Sequence, residues 1–352
     1  MIGFQIRGKE DLGLIYDAPM PKLHMNEVLI KIKYCGICGS DTHQYHTGIN
    51  LQSGGKPYIL GHEIVGEVVE INCDSALPYK VGDWVVGRPY FSCGVCDNCR
   101  AGRESICEGG IKLMTLADEG NGGYAEYAKL PAKVCFPIAD DVDRTIAALT
   151  EPLAVAVYDV RESGMQHGDT VLCSGGGVIG GIIAVYCRYL GAKNVVVTAT
   201  NANRRAWLES LGFKTVNPKD PDVEDQLLAL NGGKRFDVTF ECCGAQASYT
   251  LCQNMTRRGG TFMFVGVTTE MRELYVRHIL VYQMTVKGVN MYETKDFYKA
   301  YQIVNNHELD EDLSKFVTDI YPLENAYEGY MKAMSKDGSQ IKVLLDCEVK
   351  HD

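Results

Sequence analysis

The sequence has no long hydrophobic run. Its most apolar helical stretch, residues 178–187, is too short to cross a bilayer, so no membrane role is expected. The opening residues, Met-Ile-Gly-Phe-Gln-Ile-Arg-Gly-Lys-Glu-Asp, lack the apolar core of a signal peptide, and a cytoplasmic location is the expectation. An excess of basic residues is also missing. The formal net charge of -10 argues against sequence-independent nucleic-acid binding, which needs Lys and Arg to replace counterions. A surface acidic on average can still hold a local basic pocket for a phosphate. No internal repeat or low-complexity linker is visible. The 352 residues, 46% hydrophobic and 23% charged, are ordinary globular material with room for two domains and a large core.

Cysteine, by contrast, is plentiful, with 14 residues. Cys93, Cys96 and Cys99 are each separated by two residues and Cys107 follows closely, within a lobe of about residues 88–110. That spacing can close a tetrahedron of thiolates around one zinc ion. Nothing points to an oxidising compartment, so a disulfide reading is poor. Four thiolates leave no coordination position open, which makes such a zinc structural. Cys35 reads as a core or loop thiol, and Cys173, Cys187, Cys242 and Cys252 fall in apolar segments as buried thiols.

Residues 1–152 are rich in short extended runs, at 27–34, 63–71 and 83–87, and in turn signals at Ser53-Gly54-Gly55, Lys80-Val-Gly82-Asp83 and Gly120-Asn-Gly122-Gly123. The pattern is that of a β-rich, barrel-like domain. Across 153–290 helices and strands alternate. Helices are expected at 153–161, closed by Gly164, and at 178–190 and 203–211. Apolar strands are expected at 170–174, 194–199, 236–241, 261–265 and 285–289. Such alternation means a doubly wound parallel sheet, an α/β fold. Residues 291–352 return to helix near Thr294 and end in the apolar stretch 341–345.

Gly175-Gly176-Gly177-Val178-Ile179-Gly180 follows an expected strand and opens an expected helix, the context a dinucleotide loop requires. Gly175 allows the tight turn, Gly177 lets the backbone approach a pyrophosphate, and Gly180 lets helix and strand pack closely. The next strand ends in Ala199-Thr200-Asn201, followed by Arg204 and Arg205. Without an acidic residue there, repulsion of a 2′-phosphate is absent and an arginine can pair with it, which favours NADP(H) over NAD(H).

Cys35-Gly-Ile-Cys38-Gly-Ser40-Asp41-Thr-His43 and Gly61-His62-Glu63 carry further metal-ligand residue types. A catalytic zinc needs about three protein ligands and one open position. Cys38, His62 and a carboxylate, either Glu63 or Glu151, would supply them. Glu151 opens Glu-Pro-Leu-Ala-Val-Ala where the composition changes.

In this order along nearly the whole chain, these segments resemble the zinc-dependent medium-chain alcohol dehydrogenase family, in its sorbitol, threonine and butanediol dehydrogenase branch. The resemblance implies a GroES-like catalytic domain, interrupted by a Rossmann domain and completed by the C-terminal tail. It implies two zinc ions per chain: one structural, and one catalytic on Cys38 and His62 with Glu63 or Glu151 completing the set. Asp41 would orient the histidine, and Ser40 and His43 would relay a proton. Hydride would pass between NADP(H) and a secondary alcohol/ketone pair in a homotetramer or homodimer. Two alternatives are an NAD-dependent polyol, butanediol or threonine dehydrogenase and a non-enzymatic, zinc-stabilised nucleotide-binding protein. The chain departs from polyol-oxidising members at Met291, where they carry arginine, and at Gln44, where many carry tyrosine. An apolar Met291 suits a less hydroxyl-rich substrate.

Overall fold

Val28, Ile30 and Ile32 alternate with Lys31 and Lys33 along Glu27–Gly36, and the period of two buries the apolar set. The computed structural model describes residues 1–48, 55–116 and 122–349. Of the turn signals, Ser53, Gly54, Gly120 and Asn121 lie outside them. Contacts divide the chain into two units. One comprises Met1–Glu151, Glu293–Lys336 and Lys342–Asp352; the other comprises Pro152–Tyr292 and Asp337–Ile341.

Glu27–Gly36 is central to the first unit's seven-stranded sheet. The order is Cys135–Pro137, Trp84–Gly87, Glu63–Asn72, Glu27–Gly36, Lys342–Asp346 and Val317–Pro322, with Tyr127–Pro131 also paired to Glu27–Gly36. All pairings are antiparallel except that of the last two strands in this order. The final strand is therefore stitched beside the first long one, with Leu344 opposite Gly36, while Gly36 faces Glu63 on its other side. Phe4, Tyr58, Tyr124 and Tyr330 fill the core beneath.

The cysteine lobe is fastened to the C-terminal part of the chain within the same unit. Glu293 Oε1 accepts from Ser105 Oγ at 2.6 Å, and Oε2 accepts from Ser105 N at 3.1 Å and from Glu104 N. Glu104 in return accepts from the backbone N–H of Thr294 at 2.9 Å, in the first turn of the helix Thr294–Asn305. Each carboxylate satisfies N–H groups at the other's helix start, where no intrahelical partner exists.

The second unit holds six parallel strands. Numbered along the chain they are Thr170–Ser174, Asn194–Thr198, Lys214–Val216, Phe236–Glu241, Thr256–Phe264 and Thr285–Gly288, and their order is 3-2-1-4-5-6. That is the doubly wound arrangement, with a switch point between the first and fourth strands. Two element starts shift by three residues or more from the sequence expectation, and the short third strand Lys214–Val216 was not expected at all. The helix begins at Thr150 and not 153, because Pro152 is tolerated in a first turn and sits there. The fifth strand begins at Thr256 and not 261, with an irregular register against the fourth, so Gly259-Gly260 are carried inside a strand. Cys242 is half-buried, not fully buried, because it lies in the loop beyond the fourth strand. Among the described residues no helix is long and apolar enough to cross a membrane.

Candidate functional site

Gly61 takes a φ of +92°, a conformation that favours glycine, and a Cβ there would lie 2.4 Å from the Tyr124 ring. This turn delivers His62 and Glu63 to the start of the strand Glu63–Asn72. Cys38 caps the helix Gly39–Thr47, a polar segment that sequence periodicity did not reveal. The ligand atoms of Cys38, His62 and Glu63 all lie within 4.8 Å of one another. Glu151 is buried in the first turn of Thr150–Ser163 but is outside that group.

Two supports hold this cluster. Asp41, buried, accepts from Cys38 N at 3.1 Å and from Tyr124 Oη at 2.6 Å through Oδ2. Its Oδ1 stands 3.6 Å from His62 Nδ1, so the other ring nitrogen is left for a metal. Tyr330 Oη donates to the Asp41 carbonyl at 2.5 Å. Burial pushes the Asp41 carboxyl up, but His62 and the hydrogen bonds hold it below its ordinary value. Burial likewise opposes the His62 imidazolium, and Asp41 outweighs it, so the pKa is raised in the metal-free ring.

The second support is Lys342, a residue that sequence reasoning missed. Its Nζ donates to Glu63 Oε1 and Oε2 at 2.8 and 2.7 Å and to the Ile37 carbonyl at 3.0 Å. The two side chains are only 3% and 1% exposed. Burial acts to lower the Lys342 ammonium, and Glu63 more than offsets it, raising the pKa. Gly36 makes the pair possible, since a Cβ there would fall 1.9 Å from Glu63 Oε2. The available signal was a lone lysine inside the apolar stretch 341–345.

A thiolate, an imidazole and a carboxylate suit zinc, and with three donors one position stays open. Lys342 engages both Glu63 oxygens, which makes Glu63 the weakest donor of the three. Ser40 and His43 are exposed on the helix Gly39–Thr47, and neither side chain makes a hydrogen bond among the described residues. Gln44 accepts from Tyr58 Oη at 2.6 Å, and Met291 is half-buried with a φ of +59°.

Cys93, Cys96, Cys99 and Cys107 form a second cluster, all four sulfurs within 4.8 Å of one another. Cys93 Sγ and Cys99 Sγ are 3.9 Å apart, close to the separation of about 3.8 Å that tetrahedral Zn–S bonds impose. Cys107, Cys93 and Cys96 accept from backbone N–H groups at 3.4, 3.4 and 3.5 Å. Such N–H groups, from Val95 and Cys96, pull the Cys93 thiol down to about 6, while desolvation pushes Cys99 up to about 11. The donor set fits a closed zinc site.

In the second unit Gly175 follows the strand Thr170–Ser174 with a φ of +124°, and Gly177 caps the helix Val178–Tyr189. A Cβ at Gly180 would sit 1.9 Å from the Gly175 carbonyl oxygen, so only glycine keeps this loop closed. Val178 and Ile179 make the helix's first turn, whose N–H groups have no intrahelical partner and can serve phosphates. Ala199 is buried at the end of the second strand and Thr200 is exposed. Asn201 caps the helix Ala202–Ser210, accepting from Asn203 N and Arg204 N. Arg205 donates to the carbonyls of Ala199 and Thr200 at 2.8 and 3.0 Å. Arg204 reaches those of Gly176 and Gln340 at 3.4 and 3.3 Å. Neither arginine meets a carboxylate among the described residues.

A GroES-like sheet bearing two metal-ligand clusters, joined in one chain to a 3-2-1-4-5-6 dinucleotide fold, defines a zinc-binding dehydrogenase. Residues 24–140 match the alcohol dehydrogenase GroES-like domain and residues 178–306 the zinc-binding dehydrogenase domain. The chain is 31% identical over 347 residues to L-threonine 3-dehydrogenase of Pectobacterium atrosepticum, covering 97% of this chain and 92% of that protein. The solved structure of 2R,3R-butanediol dehydrogenase from Bacillus subtilis is 29% identical with a TM-score of 0.87, covering 98% and 99% of the two chains. A Sinorhizobium meliloti 1021 protein solved bound to NADP is 28% identical with a TM-score of 0.85, covering 98% of each. The chain belongs to the zinc-dependent medium-chain alcohol dehydrogenase family and is an oxidoreductase.

Replacing Lys342 with Met would strand the Glu63 carboxylate in a buried site. In zinc-free protein this is expected to cost about 3–5 kcal/mol, and the double change with Glu63→Gln is expected to recover most of it. Chemical denaturation of the three variants measures the coupling; equal losses in single and double variants would contradict it.

Proposed function

We propose that this protein is a zinc-dependent, NADP(H)-preferring dehydrogenase or reductase acting on a secondary alcohol/ketone pair. The observation that carries this reading is the convergence of Cys38, His62 and Glu63 on one point, with His62 braced by Asp41. Zinc, when bound, polarises the substrate oxygen, and the nicotinamide accepts or returns the hydride. Cys38 and His62 are the residues assigned to hold that zinc, and Glu63 or Glu151 the third donor. Asp41 fixes the tautomer of His62. Lys342 balances the charge of Glu63 and would keep that carboxylate paired whether or not zinc is held. Ser40 and His43, on the exposed face of Gly39–Thr47, are assigned to pass the hydroxyl proton to solvent. Cys93, Cys96, Cys99 and Cys107 hold a second, structural zinc.

Threonine and 2R,3R-butanediol, named for the two relatives, both present a secondary hydroxyl, which supports that substrate class. For the cofactor, the absence of a carboxylate at Ala199 and the cationic Arg204 and Arg205, whose hydrogen bonds among the described residues go to neutral carbonyls, support a 2′-phosphate. A homodimer or homotetramer accords with exposed Val267 (84%), Met271 (97%), Val276 (67%) and Leu280 (72%), which lead into the sheet's edge strand Thr285–Gly288.

With a panel of diols, amino alcohols, polyols and ketones, Cys38→Ser is expected to lower turnover by more than about a hundredfold while the four-cysteine lobe keeps its metal. Full turnover in that variant would remove Cys38 from the reaction. Comparison of kcat/KM for the two cofactors is expected to favour NADP(H), and Ala199→Asp to shift the ratio toward NAD(H) by about tenfold or more. An unchanged ratio would mean the 2′-position is read elsewhere.

A further inference from the structure

The glycine loop lies at the carboxyl ends of the second unit's strands. The opposite edge, where those strands begin, carries a different feature. Lys193 precedes the second strand, Lys214 opens the third, Lys234 and Arg235 precede the fourth, and Arg257 and Arg258 sit at the start of the fifth. The register sets Thr170 beside Asn194 and Phe236 beside Thr256, so these starts line up across the sheet. With strands about 4.8 Å apart, the row spans about 15–20 Å. All six cations line one cavity of about 810 Å³, along with the amides Asn194 and Asn231.

Their partners are almost all neutral. Lys214 Nζ donates to Asn194 Oδ1 and the Leu230 carbonyl at 3.2 and 3.4 Å, and Arg235 Nε to the Asn254 carbonyl at 2.6 Å. The Arg258 guanidinium lies 4.8 Å from the Tyr282 ring centre. Lys193 and Lys234 make no side-chain hydrogen bond or ion pair among the described residues. Among the described residues only Arg257 of the six meets a carboxylate, Asp237, whose other oxygen accepts from Thr170 N and Oγ1, both at 2.8 Å. The chain has 45 acidic residues against 35 basic ones, so six cations against the one carboxylate of Asp237 among the described residues lining the hollow is a departure from its average. His278 feels the same field. Its ring packs 3.9 Å from Tyr282, its Nε2 is buried without a partner, and burial, then Arg235 and Arg258, hold it below the ordinary imidazole value.

We propose that this cavity is a second anion site, separate from the dinucleotide loop, that binds a small polyphosphate. The ligand chemistry is a chain of phosphoryl groups, free or carried by a nucleoside. A row of this length exceeds the reach of a single phosphate. Its fork-shaped arginines and point-charged lysines suit several phosphoryl oxygens at once.

The test uses the full-length, zinc-loaded protein saturated with both nicotinamide cofactors in turn, so that the glycine loop is occupied. Inorganic tripolyphosphate is titrated by calorimetry into wild type and into the Lys193→Glu/Lys234→Glu variant. These two lysines hold nothing in the fold, so the variant keeps its dehydrogenase activity. Saturable binding to wild type, weakened by more than about tenfold in the variant, is the expected result. An ATP titration with the same sensitivity adds nucleotides as a source of the ligand. Binding that is equal in the two proteins, or absent once cofactor is present, overturns the proposal. So does a twenty-base oligonucleotide that binds wild type more tightly than tripolyphosphate, since that would make the row a nucleic-acid contact.

Discussion

A carboxylate and an ammonium that have both left water can remain charged only if each satisfies the other. Glu63 and Lys342 stand in that relation, 279 residues apart in sequence and less than 3 Å apart in space. The pair constrains much around it. It demands a glycine at position 36, pins the final strand beside Glu27–Gly36, and keeps a charged carboxylate next to Cys38 and His62. Charge neutralised in advance lets a carboxylate sit beside Cys38 and His62 without making the fold untenable.

Asp41 acts on the same cluster from the other side. One carboxylate receives the Cys38 N–H and the Tyr124 hydroxyl and faces the His62 ring. Because three groups converge on it, the thiol, the imidazole and the helix start are positioned together. The four-cysteine lobe is organised separately, through N–H groups aimed at sulfur and through the reciprocal Glu104 and Glu293 contacts. The two clusters therefore draw on independent stabilising interactions, consistent with one closed and one open donor set.

Local chemistry was legible in the sequence, and long-range chemistry was not. Gly175 and Gly180 revealed the loop because each answers a local demand, a positive φ at Gly175 and a close approach to the Gly175 carbonyl at Gly180. Five of the six strands of the parallel sheet were visible as apolar runs, as in 194–198, and the short, partly exposed edge strand Lys214–Val216 was not. The helix Gly39–Thr47 was hidden by a polar sequence without periodicity; Asp41 bonded to the Cys38 N–H starts it. Lys342 was hidden because nothing near it announces Glu63. The charges of Arg204 and Arg205 could be read directly, but their backbone-carbonyl partners could not. Lys193, Lys214, Lys234 and Arg257 are scattered along the chain, and only the 3-2-1-4-5-6 order brings them into one row.

The central claim is that Cys38 and His62 share a zinc ion chemically unlike the one in the cysteine lobe. X-ray absorption at the zinc edge reads this directly. The account predicts two environments, one of sulfur alone and one mixing sulfur with nitrogen and oxygen, the second vanishing in Cys38→Ser. A single all-sulfur environment in the fully loaded wild-type protein would contradict it.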